Sequence, residues 1–240
     1  MTVIVARCNY GDDSIALLAY LQQLTLKEPE RFSKLYCVYI DTGWSAKNWP
    51  ARVQQGEAFA RHCGFIPVIL KPKMSFSELV IERDNFPLPK FQWCAGFLKG
   101  LPLIDWLDER DIRNEWIIAI PKRQALYRKP IPASIPECEH HGERQVWHPM
   151  IQMSHEERDA LVLQAGFSLL KHRSLECEPC INSTQLDLAQ MSSADKSKQQ
   201  CLELAIGKRM VFVHAQSSES SVTPMDQFSM GCGDPFGCGL

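Results

Sequence analysis

The cysteines carry the plainest chemical signal in this sequence. Cys177-Glu178-Pro179-Cys180 is a C-x-x-C pair, and two thiolates at that spacing converge across one tight turn onto a single soft centre. Any further ligand must come from elsewhere in the fold. Cys94 lies far upstream, in Phe91-Gln92-Trp93-Cys94-Ala95-Gly96-Phe97-Leu98-Lys99. A thioredoxin-like redox role fits the pair less well, because the pair is remote from the first βαβ unit. Cys138-Glu139-His140-His141 also contains metal-binding residue types, but a polar surface loop explains it more simply. Cys8, Cys37, Cys63 and Cys201 lie in or beside apolar runs and read as small core residues.

A second chemistry is anion binding. Asn9-Tyr10-Gly11-Asp12-Asp13-Ser14 falls between a first strand and a first helix, where free backbone N–H groups and the helix dipole favour a phosphate. Gly11 would let the backbone approach the anion, while Asn9 and Ser14 offer side-chain donors. Asp12 adds a negative charge that phosphate would not choose, and a divalent cation such as Mg2+ would offset it. The alternative is purely structural: Asp13 or Ser14 caps the helix and Gly11 makes the turn. Asp41-Thr42-Gly43 closes the second strand, where an open α/β sheet has its ligand crevice, or else forms an ordinary turn. Lys122, Arg123 and Arg128 follow the fourth strand; arginine forks suit oxyanions, and a solvated basic loop is the alternative.

These groups need a scaffold, and the pattern supplies one. Strands are expected at 3–6, 35–40, 66–70 and 116–120, alternating with helices at 14–26, 49–63 and 95–110, which is the rhythm of a doubly wound, mostly parallel sheet with helices on both faces. A proline-rich stretch with Pro121, Pro130, Pro132 and Pro136 reads as a loop over the carboxyl edge of the sheet. Ser154 and Glu157 are in capping-box register at the start of a helix reaching to about Gln164. Two further helical stretches are expected between Ser183 and Ile206. The domain reading is an α/β domain over 1–182, a helical extension over 183–216 and a flexible tail rich in cysteine and glycine over 217–240.

Composition narrows the field. A chain of 240 residues with 45% hydrophobic content can bury one sizeable core. Its formal net charge of −2 gives no global basic field of the kind that marks nucleic-acid or anionic-membrane binders. No secretion signal precedes the first strand, and no apolar window is long enough to span a membrane. A cytoplasmic protein without a membrane partner is therefore expected, in which ten cysteines point to metal or catalytic thiols rather than disulfides.

Several of these segments resemble the PP-loop (adenine nucleotide α-hydrolase-like) superfamily, in particular the phosphoadenosine phosphosulfate (PAPS) reductase family. Gly11, Asp13 and Ser14 match its Ser-Gly-Gly-x-Asp-Ser loop, with Asn9 in place of serine and Tyr10 in place of the first glycine. Asp41-Thr42-Gly43 matches its turn near the adenosine. Cys94 followed by Leu98, Lys99, Pro102 and Leu103 resembles its cysteine segment, and Ser174 to Cys180 matches Ser-x-x-Cys-x-Pro-Cys. His148-Pro149 resembles the family's His-Pro, and a packing role fits it as well. The resemblance runs from Val3 to Ile181 and implies a PP-loop/HUP-like fold.

For the site, the resemblance implies a nucleotide held by Asn9, Gly11, Asp13, Ser14, Asp41, Thr42, Gly43, Lys99, Lys122, Arg123 and Arg128. It also implies a 4Fe-4S cluster on Cys94, Cys177 and Cys180. Trp93 occupies the position of the family's fourth cysteine ligand, so the cluster would keep an open or differently ligated iron. Zinc with a histidine is the alternative metal. Cys238 in Gly237-Cys238-Gly239-Leu240 resembles the family's mobile nucleophile, without the preceding Glu or the final His; Cys232 or Cys238 could equally supply the missing ligand. Three functions follow. The first is reduction of an adenylyl sulfate to sulfite with an external thiol or thioredoxin-like reductant. The others are ATP-dependent sulfur transfer to a nucleic acid, as an iron–sulfur sulfurtransferase, and a zinc-stabilised nucleotide-binding module. The substrate and any homo-oligomer are left open by the sequence.

Overall fold

Alternate residues of the first strand point to opposite sides, and this builds the scaffold. In β1 (Thr2–Arg7) Ile4 and Ala6 enter one apolar cluster and Val5 enters another, so the strand is buried on both faces. The computed structural model describes residues 2–88, 91–126 and 129–212. They divide into two compact units, one made of Met1–Ile40, Ala51–Leu70 and Leu103–Ser174, the other of Asp41–Pro50, Lys71–Pro102 and the chain from Leu175 on. This division interleaves along the sequence.

The first unit holds the sheet. Its strands β1, β2 (Phe32–Ile40), β3 (Ile66–Leu70), β4 (Ile117–Ala119), β5 (Ser134–Cys138) and β6 (Arg144–Trp147) run in the order β3-β2-β1-β4-β6-β5. All neighbouring pairs are parallel except β5 and β6. One face is covered by α1 (Asp12–Lys27), the later part of α2 (Trp49–His62) and α6 (His155–Gln164). The other carries Leu103, Trp106 and Leu107 of α5 (Leu101–Asp108). This is the expected doubly wound, mostly parallel arrangement with helices on both faces. The capping box of α6 forms as read, with Ser154 Oγ accepting from the Glu157 N–H at 3.1 Å.

Two departures have local causes. The proline-rich stretch is not wholly loop: it contains β5, and β6 follows it. Pro136 is accommodated because β5 is the sheet's edge and its pairing with β6 shifts register between Ile135 and Cys138. The helix expected over 95–110 is instead α4 (Trp93–Ala95), a π-helical turn (Gly96–Gly100) and α5. Two glycines and Pro102 weaken a regular ladder there, and such turns recur at functional positions.

The second unit is helical. It contains α3 (Phe76–Glu82), which the sequence reading passed over although Ser75 and Glu78 form a complete capping box, together with α7 (Gln185–Gln190) and α8 (Ser193–Ile206). Trp44, Phe76 and Trp93 stack in its core, with ring centroids 4.8 and 6.1 Å apart. Met210 and Phe212 close the same core. The core reading holds for Cys8, Cys37 and Cys63 but not for Cys201, which is exposed beside the inward-facing Leu202 of the amphipathic α8.

Candidate functional site

In the sheet-bearing unit the loop from Asn9 to Ser14 joins β1 to α1. Tyr10 stands at φ 60°, the left-handed conformation that a glycine would take without strain. What holds a tyrosine there is its fully buried ring, which lies 5.5 Å from the Tyr39 ring with its hydroxyl 3.6 Å from Cys37 Sγ. Gly56 of α2 makes the room: a Cβ there would fall 2.1 Å from Tyr10 Cδ1. Burial raises the thiols of Cys8, well above their usual range, and Cys63, to about 12, so both are protonated packing groups.

The polar groups of the loop are paired among themselves. Asn9 Oδ1 accepts from the Gly11 N–H at 2.9 Å and from the Ser14 hydroxyl at 2.8 Å. The Asn9 N–H donates to Ser14 Oγ at 3.1 Å, and Asn9 Nδ2 donates to Ser174 Oγ at 2.9 Å. Gly11 has an ordinary φ of −71°, and its missing side chain leaves space for Asn9 Oδ1 and Ser174 Cβ, each 3.1 Å from where a Cβ would sit. Among the described residues no side chain caps α1, so neither Asp13 nor Ser14 is its helix cap.

Both acidic residues of the loop are met by arginines. Arg52 of α2 donates from Nη2 to Asp12 Oδ1 at 2.8 Å, from Nε to the Tyr10 carbonyl at 2.9 Å and from Nη1 to the Ser168 carbonyl at 3.2 Å. Asp12 also accepts the Leu170 N–H at 3.0 Å. Arg123 Nε donates to Asp13 Oδ1 at 2.8 Å, and Arg158 Nη1 lies 3.7 Å from Asp13 and 3.9 Å from Asp12. The charge for which the sequence suggested a divalent cation is thus answered by Arg52. Arg123 is 1% exposed, yet its buried Nη1 has no hydrogen-bond partner among the described residues. A buried guanidinium N–H without an acceptor is costly, and marks a place where an acceptor belongs.

Lys122 and Arg123 are buried, so they do not form a solvated basic loop; Arg128 lies outside the described residues. His148 is buried, its Nδ1 2.7 Å from the Pro132 carbonyl, which is a packing role. Cys138-Glu139-His140-His141 is likewise not simply a surface loop. His141 is 1% exposed, its Nδ1 3.4 Å from Cys138 Sγ. Burial, reinforced by the charges of Arg7, His140, Lys122 and His148, pushes the His141 imidazole down to about 3.

The helical unit holds the remaining predicted residues. Asp41 Oδ1 accepts the Gly43 N–H at 3.0 Å, and Gly43, at φ 69°, sits so close to Ser75 that a Cβ would lie 2.9 Å from Ser75 Cβ. Thr42 is fully buried; its hydroxyl donates to the Glu176 carbonyl at 3.3 Å and lies 3.5 Å from Cys177 Sγ. Lys99, in the π-helical turn, forms a buried pair with Glu176 Oε1 at 2.6 Å. Trp44 Nε1 donates to the Pro179 carbonyl at 2.9 Å. Thr42 and Lys99 therefore brace the C-x-x-C segment, a link that neither Asp-Thr-Gly nor the cysteine spacing discloses.

Cys180 belongs to the apolar core of this unit, and Cys94 and Cys177 pack against it. Burial pushes the Cys177 thiol up to about 12, although Lys99 and the Thr42 hydroxyl pull it down. Three sulfurs on one apolar cluster suit a soft metal, whose binding replaces thiol protons. Their present arrangement does not amount to a ligand set: among the described residues no group of three or more His, Cys, Asp or Glu side chains is placed to hold a metal ion. Trp93, at the position of the family's fourth ligand, is a core residue. Cys232 and Cys238 lie outside the described residues. Among those described, no helix is long and apolar enough to cross a membrane.

No protein-family model and no curated protein matches the chain. Solved structures do. A PAPS reductase from Candida auris in its phosphate complex is 14% identical over 69% of this chain and 74% of its own, with a TM-score of 0.48. The U34-tRNA thiolase NcsA from Methanococcus maripaludis, with its 4Fe-4S cluster, is 11% identical over 98% and 70%, at 0.45. The NMN synthetase from Francisella tularensis is 10% identical over 97% and 84%, at 0.48. The chain's own strand order gives it a doubly wound, mostly parallel α/β fold, and these three proteins are among the solved structures to which it is similar.

Proposed function

We propose that the chain is an enzyme that binds an adenine nucleotide through the loop Asn9–Ser14, with an anionic group of the nucleotide at the first turn of α1. One observation carries this reading. Among the described residues Arg123 Nη1 is a buried donor without an acceptor, on a residue whose Nε is already fixed to Asp13 of that turn. First-turn N–H groups have no intrahelical acceptor, and no side chain caps this helix. An oxyanion would satisfy both. The proposed reaction is that of a sulfonucleotide reductase. The Cys238 thiolate attacks the sulfur of an adenylyl sulfate, the sulfur–oxygen bond breaks and the adenine nucleotide leaves with the electron pair. An external dithiol of thioredoxin type then cleaves the cysteine thiosulfonate, releasing sulfite and ending as a disulfide.

Cys94, Cys177 and Cys180 are proposed to hold a 4Fe-4S cluster, which would supply redox-active iron; the steps above need only the thiol and the nucleotide. Trp93 in place of a fourth cysteine favours a second reading, sulfur transfer to a nucleic acid with ATP. Calorimetry with AMP and adenylyl sulfates tests the nucleotide site. Arg123→Gln should weaken binding about tenfold to a hundredfold, the worth of a charge-assisted hydrogen bond. Unchanged binding by a folded variant overturns that assignment. Thiol-dependent sulfite release that is lost in Cys238→Ser separates the reductase from the sulfurtransferase.

A further inference from the structure

Asn9 stands where the PP-loop pattern has a serine, and its side chain does something a serine could not do in the same way. Its carboxamide oxygen lies in the loop's own anion cradle. It takes the Gly11 N–H and the Ser14 hydroxyl, while its amide nitrogen is anchored on Ser174. The Asn9 N–H is spent on Ser14 Oγ. The volume above Gly11 is filled from both sides, by Asn9 Oδ1 and by Ser174 Cβ. What the loop still offers an anion is the uncapped first turn of α1 and Arg123 Nη1. That is enough for one tetrahedral group. A pyrophosphate needs a second set of donors, and those donors already serve Asn9.

We infer that Asn9 is a specificity-determining residue: it closes the loop to a diphosphate or triphosphate chain and leaves it selective for adenine nucleotides that present a single phosphoryl group there. The inference rests on reading Asn9–Ser14 as the nucleotide loop. It predicts that a nucleoside triphosphate gains nothing from its β- and γ-phosphates, because each would have to displace paired donors.

The test is calorimetry of the full chain with AMP, ATP and inorganic pyrophosphate, on the native protein and two variants. The native chain should bind AMP, bind ATP no more tightly, and show no heat with pyrophosphate. Asn9→Ala empties the cradle, and should raise the affinity for ATP and pyrophosphate about tenfold relative to that for AMP, the worth of one or two freed donors. Asn9→Asp keeps an oxygen in the cradle and adds charge, so it should stay closed to pyrophosphate. If Asn9→Ala fails a circular-dichroism melt, Ser174→Ala, which only releases the anchor, should show a smaller gain of the same kind. The inference falls if the native chain binds ATP at least tenfold more tightly than AMP, or if the folded variant leaves the ratio of ATP to AMP affinity unchanged. Absence of binding by AMP, ATP and pyrophosphate to every variant overturns the nucleotide-loop reading itself, and the inference with it.

Discussion

Gly56→Ala sets two opposite effects against each other. In the interior of α2 the exchange should help by up to about 1 kcal/mol, because alanine loses less backbone freedom than glycine. Here the new methyl would sit 2.1 Å from Tyr10 Cδ1 and 2.7 Å from Cε1 and Cγ, so the ring must move. That ring is fully buried against Tyr39 and Cys37, and overpacking of such a site costs roughly 1–3 kcal/mol, with the upper end apt for so short a contact. The net expectation is a loss of about 2 kcal/mol and a fall in Tm of roughly 4–8 °C for a chain of this size. Tyr10 also carries the loop: its carbonyl is held by Arg52 and its neighbours are Asn9 and Gly11, so AMP affinity should fall as well. Thermal melts and calorimetry read both effects. On a Tyr10→Ala background the clash is gone, and the same exchange should become stabilising by about 0.5–1 kcal/mol. A higher Tm for Gly56→Ala in the native background would refute the reasoning, since helix propensity alone would then decide.

His141 should make stability depend on pH in a defined window. Its folded-state value, pushed down to about 3, lies below the unfolded value near 6.5, so the unfolded chain takes up the proton first. Its contribution is therefore intact above about pH 6.5 and is lost as pH falls from there toward 3, by at most about 1.4 kcal/mol per unit. Urea midpoints at pH 7 and 5 should differ less for His141→Asn than for the native chain; an equal difference in both would show that the imidazole is not the group. For the cysteines, single Cys94→Ser, Cys177→Ser and Cys180→Ser variants should each lose iron, acid-labile sulfide and brown colour in anaerobically prepared protein, whereas stoichiometric zinc without iron would replace the cluster by zinc.

The parallel sheet was legible because buried strands write themselves as short β-branched runs, and Ile66–Leu70 was read to the residue. What escaped were elements whose cause is tertiary. β5 carries Pro136, which argues for loop until the neighbour β6 and the edge position are known. The loop Asn9–Ser14 was legible as a strand-to-helix turn, but its internal bonding was not. Gly11 suggested close approach by phosphate, whereas the space it leaves is used by Asn9 and Ser174, the latter 165 residues from Asn9. Tyr10 looked like a damaged glycine position, and only Gly56 across the fold explains how a buried ring can sit at φ 60°. Lys99 shows the same limit: its type suited an anion, and its partner in the structure is Glu176.

The electrostatics of the loop bear on how a chain of net charge −2 would receive the anion proposed above. Asp12 and Asp13 would repel a phosphate if they faced it alone. Three guanidinium groups, from Arg52, Arg123 and Arg158, stand against Asp12, Asp13 and Asp159, the last 2.5 Å from Arg158 Nε, so the carboxylates of the cluster are matched and no negative charge is left over. In such surroundings fixed charges are screened far less than at the surface, so this local balance counts for more than the dispersed charge of the surface. The aspartates also do more than cancel. By holding Arg123 at Nε and Arg52 at Nη2, they fix guanidinium planes that would otherwise be free to turn, so the orientation of the remaining donors is set before any ligand arrives. Acidic residues that seemed to count against phosphate in the sequence are, in the fold, what orients the arginines.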